Sequence, residues 1–287
     1  MNRAIVVSLA TLVVCSSAAF ADDETPPVVG GKTYVQHQIL AAKSRHPDIA
    51  EITVIGKGPD NKASVILGST ASARNVFKAA QEPADGTAVE RPYFVVREPF
   101  LSSSAHRLGT IEIKFRNRPG SEARFTKLAG EVEATMARAT LSAKNAADPY
   151  PFDPAFGPNT YAQKLTERTV AAHPDLLVMM IHATPPHGAY NVIIGSNIGR
   201  FGKKADEDDL RVIEKGSTNL EVGGDNDRYE TELPLLDRSG KRIGALGLVF
   251  GLKPSTDKDA LHKHGLAIRD EVARAIPNNA ALFRPAR

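Results

Sequence analysis

Hydrophobic and polar positions in the second half of the chain change period in a fixed order. Tyr161 to Ala172 reads as a helix that stops ahead of His173-Pro174, because the residue before a proline avoids the α region. Leu176 to Ala183 is an apolar run of the kind a buried strand needs. After the turn Pro185-Pro186-His187-Gly188, a second strand is predicted over Tyr190 to Ser196. A short helix follows. Asp206 can cap it, Glu207, Asp208 and Asp209 suit its positive N-terminal end, Lys215 suits the other end, and Gly216 stops it. Thr218 and Asn219 then open a short strand running through Val222. Arg228 to Leu236 and Arg242 to Phe250 flank the turn Asp237-Arg238-Ser239-Gly240 as a long hairpin. The closing helix, from Asp257 to Ile276, repeats its apolar positions Leu261, Ile268, Val272 and Ile276 at helical spacing, with Gly265 in the remaining gap.

The first half carries the same order, and the residues repeat with it. Tyr34-Val35-Gln36 matches Tyr161-Ala162-Gln163, His46-Pro47-Asp48 matches His173-Pro174-Asp175, and Val65 to Ser69 matches Val192 to Ser196, all at one offset. About ten of about thirty-seven aligned positions are identical, against about two by chance. Further on the register shifts: Leu108-Gly109 falls on Ile243-Gly244 and Phe115 on Phe250. An amphipathic helix with Phe125, Leu128, Val132 and Met136 then follows. The repetition of His-Pro-Asp favours a turn that both copies need. Between the copies, Asp148-Pro149-Tyr150-Pro151-Phe152-Asp153-Pro154 reads as a stiff linker. The chain thus divides into a leader over 1–21, a first module over 22–145, a Pro-rich linker over 146–158 and a second module over 159–287.

Helix, two strands, short helix, three antiparallel strands and a helix give an α+β module, a five-stranded antiparallel sheet flanked by helices. The stretch Leu233-Pro234-Leu235-Leu236-Asp237-Arg238-Ser239-Gly240-Lys241-Arg242-Ile243-Gly244-Ala245-Leu246-Gly247 resembles the hairpin of the Cache family of PAS-like extracytoplasmic sensor modules. There a strand ends at D-x-x-G and the next begins with I-G. The resemblance covers most of the second copy and, more weakly, the first. It implies two tandem PAS-like modules, with a ligand held between the concave sheet and the short helices of the second copy, the first being degenerate. The chain departs from the family in showing no membrane anchor or output domain. It also lacks the aromatic-arginine signature of amino-acid-binding members, so signalling would pass through an unidentified protein partner.

Arg3, the short apolar run Ala4 to Val14 and Ala19-Phe20-Ala21 ahead of Asp22-Asp23-Glu24 form a cleavable secretory leader, which points to a periplasmic product with no stable membrane insertion after cleavage. The only cysteine, Cys15, lies inside that leader and follows Val14 rather than the small residue a lipidation signal wants. The mature chain is therefore expected to use no disulfide, thiol nucleophile or thiolate metal site. At 42% hydrophobic and 24% charged residues the chain can bury sizeable cores. Its 36 basic and 33 acidic residues form no basic block, which argues against nucleic acid.

Candidate ligand contacts follow from strand alternation and from the glycine-rich connection after the second strand. Tyr229 and Thr231 share a face with Leu233 and Leu235. Asn191 lies on the second strand of the repeat, Asn197 and Arg200 follow it, and His182 ends the first. An arginine with amides suits a small polar metabolite, a carboxylate among the choices. Cross-strand packing by Tyr229 and Thr231 and solvation of Asn191, Asn197 and Arg200 are the alternatives. The glycines Gly195, Gly199 and Gly202 fit neither a P-loop nor a dinucleotide fingerprint. Ser102-Ser103-Ser104-Ala105-His106 reads as a hairpin turn, Asp225 and Asp227 as a plain turn, and no G-x-S-x-G occurs. Neither His182 with His187 nor His262 with His264 gathers further ligands at a telling spacing. No catalytic group, metal or cofactor is therefore assigned. An exported ligand-binding or sensory module is the leading function, with an enzyme using the same pocket, or a non-binding structural or partner-interaction protein, as alternatives.

Overall fold

A computed structural model describes residues 32–286 except 59, 61, 73–74 and 224–225. The leader, Cys15 and Asp225 lie outside the described residues. The first copy runs α1 (Tyr34–Arg45), β1 (Ile49–Lys57), β2 (Ser64–Ser69), β3 (Gly86–Glu90), β4 (Tyr93–Leu101), β5 (Arg107–Arg116) and α2 (Glu122–Arg138), and α3 (Ala143–Ala147) leads out of it. The second runs α4 (Tyr161–Ala172), β6 (Leu176–Ala183), β7 (Val192–Ser196), α5 (Glu207–Lys215), β8 (Asn219–Gly223), β9 (Arg228–Leu236), β10 (Arg242–Gly251), α6 (Lys258–Ala275) and α7 (Asn279–Leu282). Both sheets are antiparallel and share one topology, β2-β1-β5-β4-β3 and β7-β6-β10-β9-β8. The chain is an α+β protein of two tandem modules, as the repeat implied. Among the described residues no helix is long and apolar enough to cross a membrane.

The repeated residues build the same joint twice. Thr33 and Thr160 cap α1 and α4 by accepting from Gln36 N and Gln163 N, and each donates its hydroxyl to the facing strand, at Leu67 O and Ile194 O. Gln36 Oε1 accepts from Ser69 N and Gln163 Oε1 from Ser196 N, at 2.8 Å each. The intervening glycines let helix and strand touch: a Cβ on Gly195 would stand 2.9 Å from Ala162 O, and one on Gly68 3.2 Å from Gln36 N. His-Pro-Asp ends each helix in the same turn, with Ile49 N donating to His46 O and Leu176 N to His173 O at 3.0 Å. In the hairpin turn, Asp237 accepts from Ser239 N, Ser239 Oγ and Lys241 N, which is why an aspartate stands there.

One face of each sheet is packed by long helices. In the first copy Phe94, Phe100, Phe115 and Phe125 lie among Val35, Ile39 and Val132; in the second Leu233, Leu235, Leu246 and Phe250 lie among Leu165, Ile268 and Val272. The opposite face of the second sheet carries its own smaller apolar cluster, Val178, Met180, Ile193, Ile198 and Val249, against which Leu141 of the preceding segment packs. The segment joining the copies is fastened at both sides: Asn145 Nδ2 donates to Ile198 O, Tyr150 N to Lys32 O, and Phe152 N to Phe201 O.

Candidate functional site

The element that positions the site is α5, and its sequence is nearly all end-signal. Asp206 and Asp209 form a reciprocal capping box, Asp209 N donating to Asp206 Oδ1 at 3.2 Å and Asp206 N to Asp209 Oδ2 at 2.9 Å. Gly216 closes the helix in the left-handed conformation at φ 72°. The helix lies against β9 and β10, on the face away from α6. Beneath and beside it lies a cavity of 320 Å³. His182 of β6 and Glu230 and Glu232 of β9 form its floor, Asp209 of α5 its roof, and Leu141 and Ser142 of the first copy's trailing segment one edge. A larger groove of 660 Å³ beside α4 and the C-terminal residues gathers Lys164, Arg168 and Arg284, but no buried carboxyl or histidine. The smaller cavity holds the unusual chemistry.

His182 is 3% exposed, and its Nδ1 lies 3.4 Å from Asp209 Oδ2 without a hydrogen bond in good geometry. Burial pulls the imidazole below its ordinary range, against the opposing charges of Asp209 and Asp206. Burial also works to raise Asp209. His182, a hydrogen bond from Glu232 and the Asp206 amide outweigh it and hold the carboxyl low. Glu232 is the partner that keeps the proton, pushed up to about 11 by burial, by its hydrogen bond with Asp209 and by that residue's charge. Glu230 is pushed up to about 7, by burial first and then by Glu221. Four cations line the rim: Arg200, whose Nε bonds Asp148 Oδ2 at 3.1 Å, Arg228, which reaches Asp227 Oδ1 and Leu141 O, and Lys144 and Lys203. The interior is a cluster of carboxyls and one imidazole, with the cations set around it at the rim.

Only part of the expected constellation meets there. His182 and Arg200 line the cavity. Tyr229 and Thr231 share a face with Leu233 and Leu235 as expected, but that face is the helix core, where the Thr231 methyl lies 3.2 Å from where a Gly265 Cβ would be. The leucine-bearing face of β9 is fully buried against the helix core, and on the other face half-buried Glu230 and buried Glu232 reach the cavity. Asn197 is structural rather than solvated: its amide accepts from Met179 N and donates to Leu177 O at 2.9 Å each, clamping the edge of β6. Asn191 is 5% exposed at the entry to β7, with neither side-chain atom hydrogen-bonded among the described residues, and it does not line the cavity. Arg200 is held by Asp148 in a linker whose residues are packed, and Gly199, at φ 76°, lies under the Tyr34 ring, where any Cβ would collide. The acids that sequence reasoning passed over had one local signal, two glutamates spaced to share a strand face.

Fold and cavity together define an α+β protein of two tandem modules, each a five-stranded antiparallel sheet flanked by helices, whose second copy holds an acid-lined cavity. No protein-family model matches the chain, and no curated protein does. Solved structures similar to it include a protein named as a GAF sensor from Burkholderia vietnamiensis, 14% identical over 42% of this chain and 76% of that one, with a TM-score of 0.30. Another is the inducer-binding domain of the transcription factor PobR from Acinetobacter, in complex with 3-hydroxybenzoic acid. It is 12% identical over 41% of this chain and 95% of that one, with a TM-score of 0.27. A third is the cofactor-binding GAF domain of the nutrient sensor CodY from Clostridium difficile, 15% identical over 53% and 97%, with a TM-score of 0.27.

Proposed function

We propose that the chain is an exported, periplasmic ligand-binding or sensory module, that its second copy holds the ligand in the cavity under α5, and that it acts through a separate protein partner. The observation that carries this reading is the cluster of His182, Asp209 and Glu232, all buried, with half-buried Glu230 beside them around 320 Å³ of space. Gathering several ionisable groups with displaced titrations around an open space costs desolvation, and such clusters concentrate at binding and catalytic sites. With Arg200 held by Asp148 and carboxyls lining the cavity, the ligand we favour is a small polar molecule bearing an amine or other cationic group, with a carboxylate as the alternative. The first copy, on this reading, serves packing and partner contact.

Native mass spectrometry on protein gently purified from its own host tests the reading. Wild type should carry a mass excess that vanishes on denaturation and is absent from Gly247→Leu, since a side chain at Gly247 points between Met180 and Glu230. No excess in wild type, together with a flat thermal-shift screen of small amines and carboxylates, would remove the ligand role and leave a structural one. The displaced carboxyl titrations favour one second reading, an acid–base enzyme using the same cavity. That reading requires a turnover lost in His182→Gln.

A further inference from the structure

Outside the cavity, on the opposite side of the second sheet, His173 at the end of α4, Asp175 just ahead of β6 and His264 on α6 converge, with their potential ligand atoms all within 4.8 Å of one another. His264 Nε2 lies 3.3 Å from Asp175 Oδ2, the two imidazoles meet edge to face at 5.5 Å, and Glu271 Oε2 is 3.1 Å from His173 Nε2. We propose that His173, Asp175 and His264 bind a borderline divalent transition ion, zinc, nickel or cobalt, with Glu271 orienting the His173 ring or completing the ligand set. Two imidazoles and a carboxylate are the donors such ions prefer. A carboxylate on the far side of a ligating histidine is the usual way the ring is held, and a position left open to solvent takes water.

The duplication separates this site from the turn it grew on. Both copies need His-Pro-Asp for the same helix-to-strand turn, so the motif alone says nothing about a metal. The surroundings differ. The buried positions Ala129, Val132, Met136 and Ala137 of α2 correspond to Gly265, Ile268, Val272 and Ala273 of α6, which sets Arg124 at the place of Ala260, Leu128 at that of His264 and Thr135 at that of Glu271. In the first copy Asp48 is neutralised by Arg124 at 2.8 Å and Arg118 at 3.3 Å. In the second copy the arginine is an alanine, and an imidazole and a carboxylate have been added. Three replacements in one spot convert a neutralised aspartate into a chelating set.

Titration of the untagged chain with zinc chloride, and with cobalt chloride followed by visible absorption, tests the assignment. Wild type should take up one equivalent of each ion, give cobalt bands of a protein-bound ion, and melt at a higher temperature with zinc. His264→Leu, and Ala260→Arg with His264→Leu, place the first copy's own residues there and so keep the packing. Each should weaken the affinity at least about a hundredfold and abolish the bands and the melting shift. Failure of wild type to bind zinc, cobalt or nickel at one equivalent overturns the proposal. So does an equivalent that survives unchanged in both variants, since that ion sits elsewhere.

Discussion

The two copies use the same joints but treat the face of the sheet away from the long helices in opposite ways. Strand registers align Ile55 with His182, Val95 with Glu230, Arg97 with Glu232 and Glu112 with Gly247. In the first copy Arg97 bonds Glu112 and Glu90, Lys114 reaches Glu51 and Glu112, and no α-helix lies between β2 and β3 among the described residues. On these strands charge is matched with charge. In the second copy the arginine has become a glutamate, the glutamate a glycine that leaves room, and α5 has closed over the result. The scaffold repeats because the sheet requires it; the charge balance differs because the second copy alone, among the described residues, sets a helix over that face.

The joint itself gives the largest expected effect. Gln36→Ala and Gln163→Ala each leave a buried strand amide, Ser69 N or Ser196 N, without its acceptor, and each should cost about 2 kcal/mol in urea unfolding. A clear inequality between the two would break the claim that one device was copied twice. The pH dependence sharpens the contrast. An acid whose pKa is raised by folding holds a proton that the unfolded chain has released, so stability falls as pH rises from the unfolded carboxyl range toward the folded pKa. Glu230 places such a fall between about 4.5 and about 7, and Glu232 extends it to about 11. The melting temperature should therefore decline from pH 6.5 to 8, above the range where the depressed pKa of buried His182 makes stability rise with pH, and Glu230→Gln with Glu232→Gln should flatten the decline, as followed by circular dichroism. A slope unchanged in that double variant would mean the acids are not buried as described. The smallest effect belongs to the first copy: Arg97→Met should change stability by about 1 kcal/mol or less, because its ion pairs lie at a partly exposed surface, and it should leave the pH slope as it is.

The fold was legible because its signals are local. Asp206, the acidic first turn and Gly216 bound α5 within the residues that form it, and Asp237 to Gly240 contain their own turn. The strand expected from Tyr190 begins instead at Val192, after the buried Asn191. The cavity was half legible. Alternation separates the two faces of β9, but it cannot say which face meets α6 and which meets α5, since a helix lies against each, and the apolar face drew attention to Tyr229 and Thr231. The role of Asn197 depends on an edge of β6 twenty residues earlier in the chain, with its carbonyl at Leu177, and that of Arg200 on Asp148, across the linker. Neither partner is visible from the residues around the one it holds.

Asp148, Asn145 and Leu141 precede the second copy in the chain, yet they hold Arg200, Ile198 and the rim of the cavity under α5. A duplicated unit ordinarily remains tradable: it can be lost, swapped or fused to another gene and still fold. Here one unit has become part of its neighbour's wall, so deletion of the earlier copy would open the later one. Descent can vary the two faces independently, but it can no longer separate the pair.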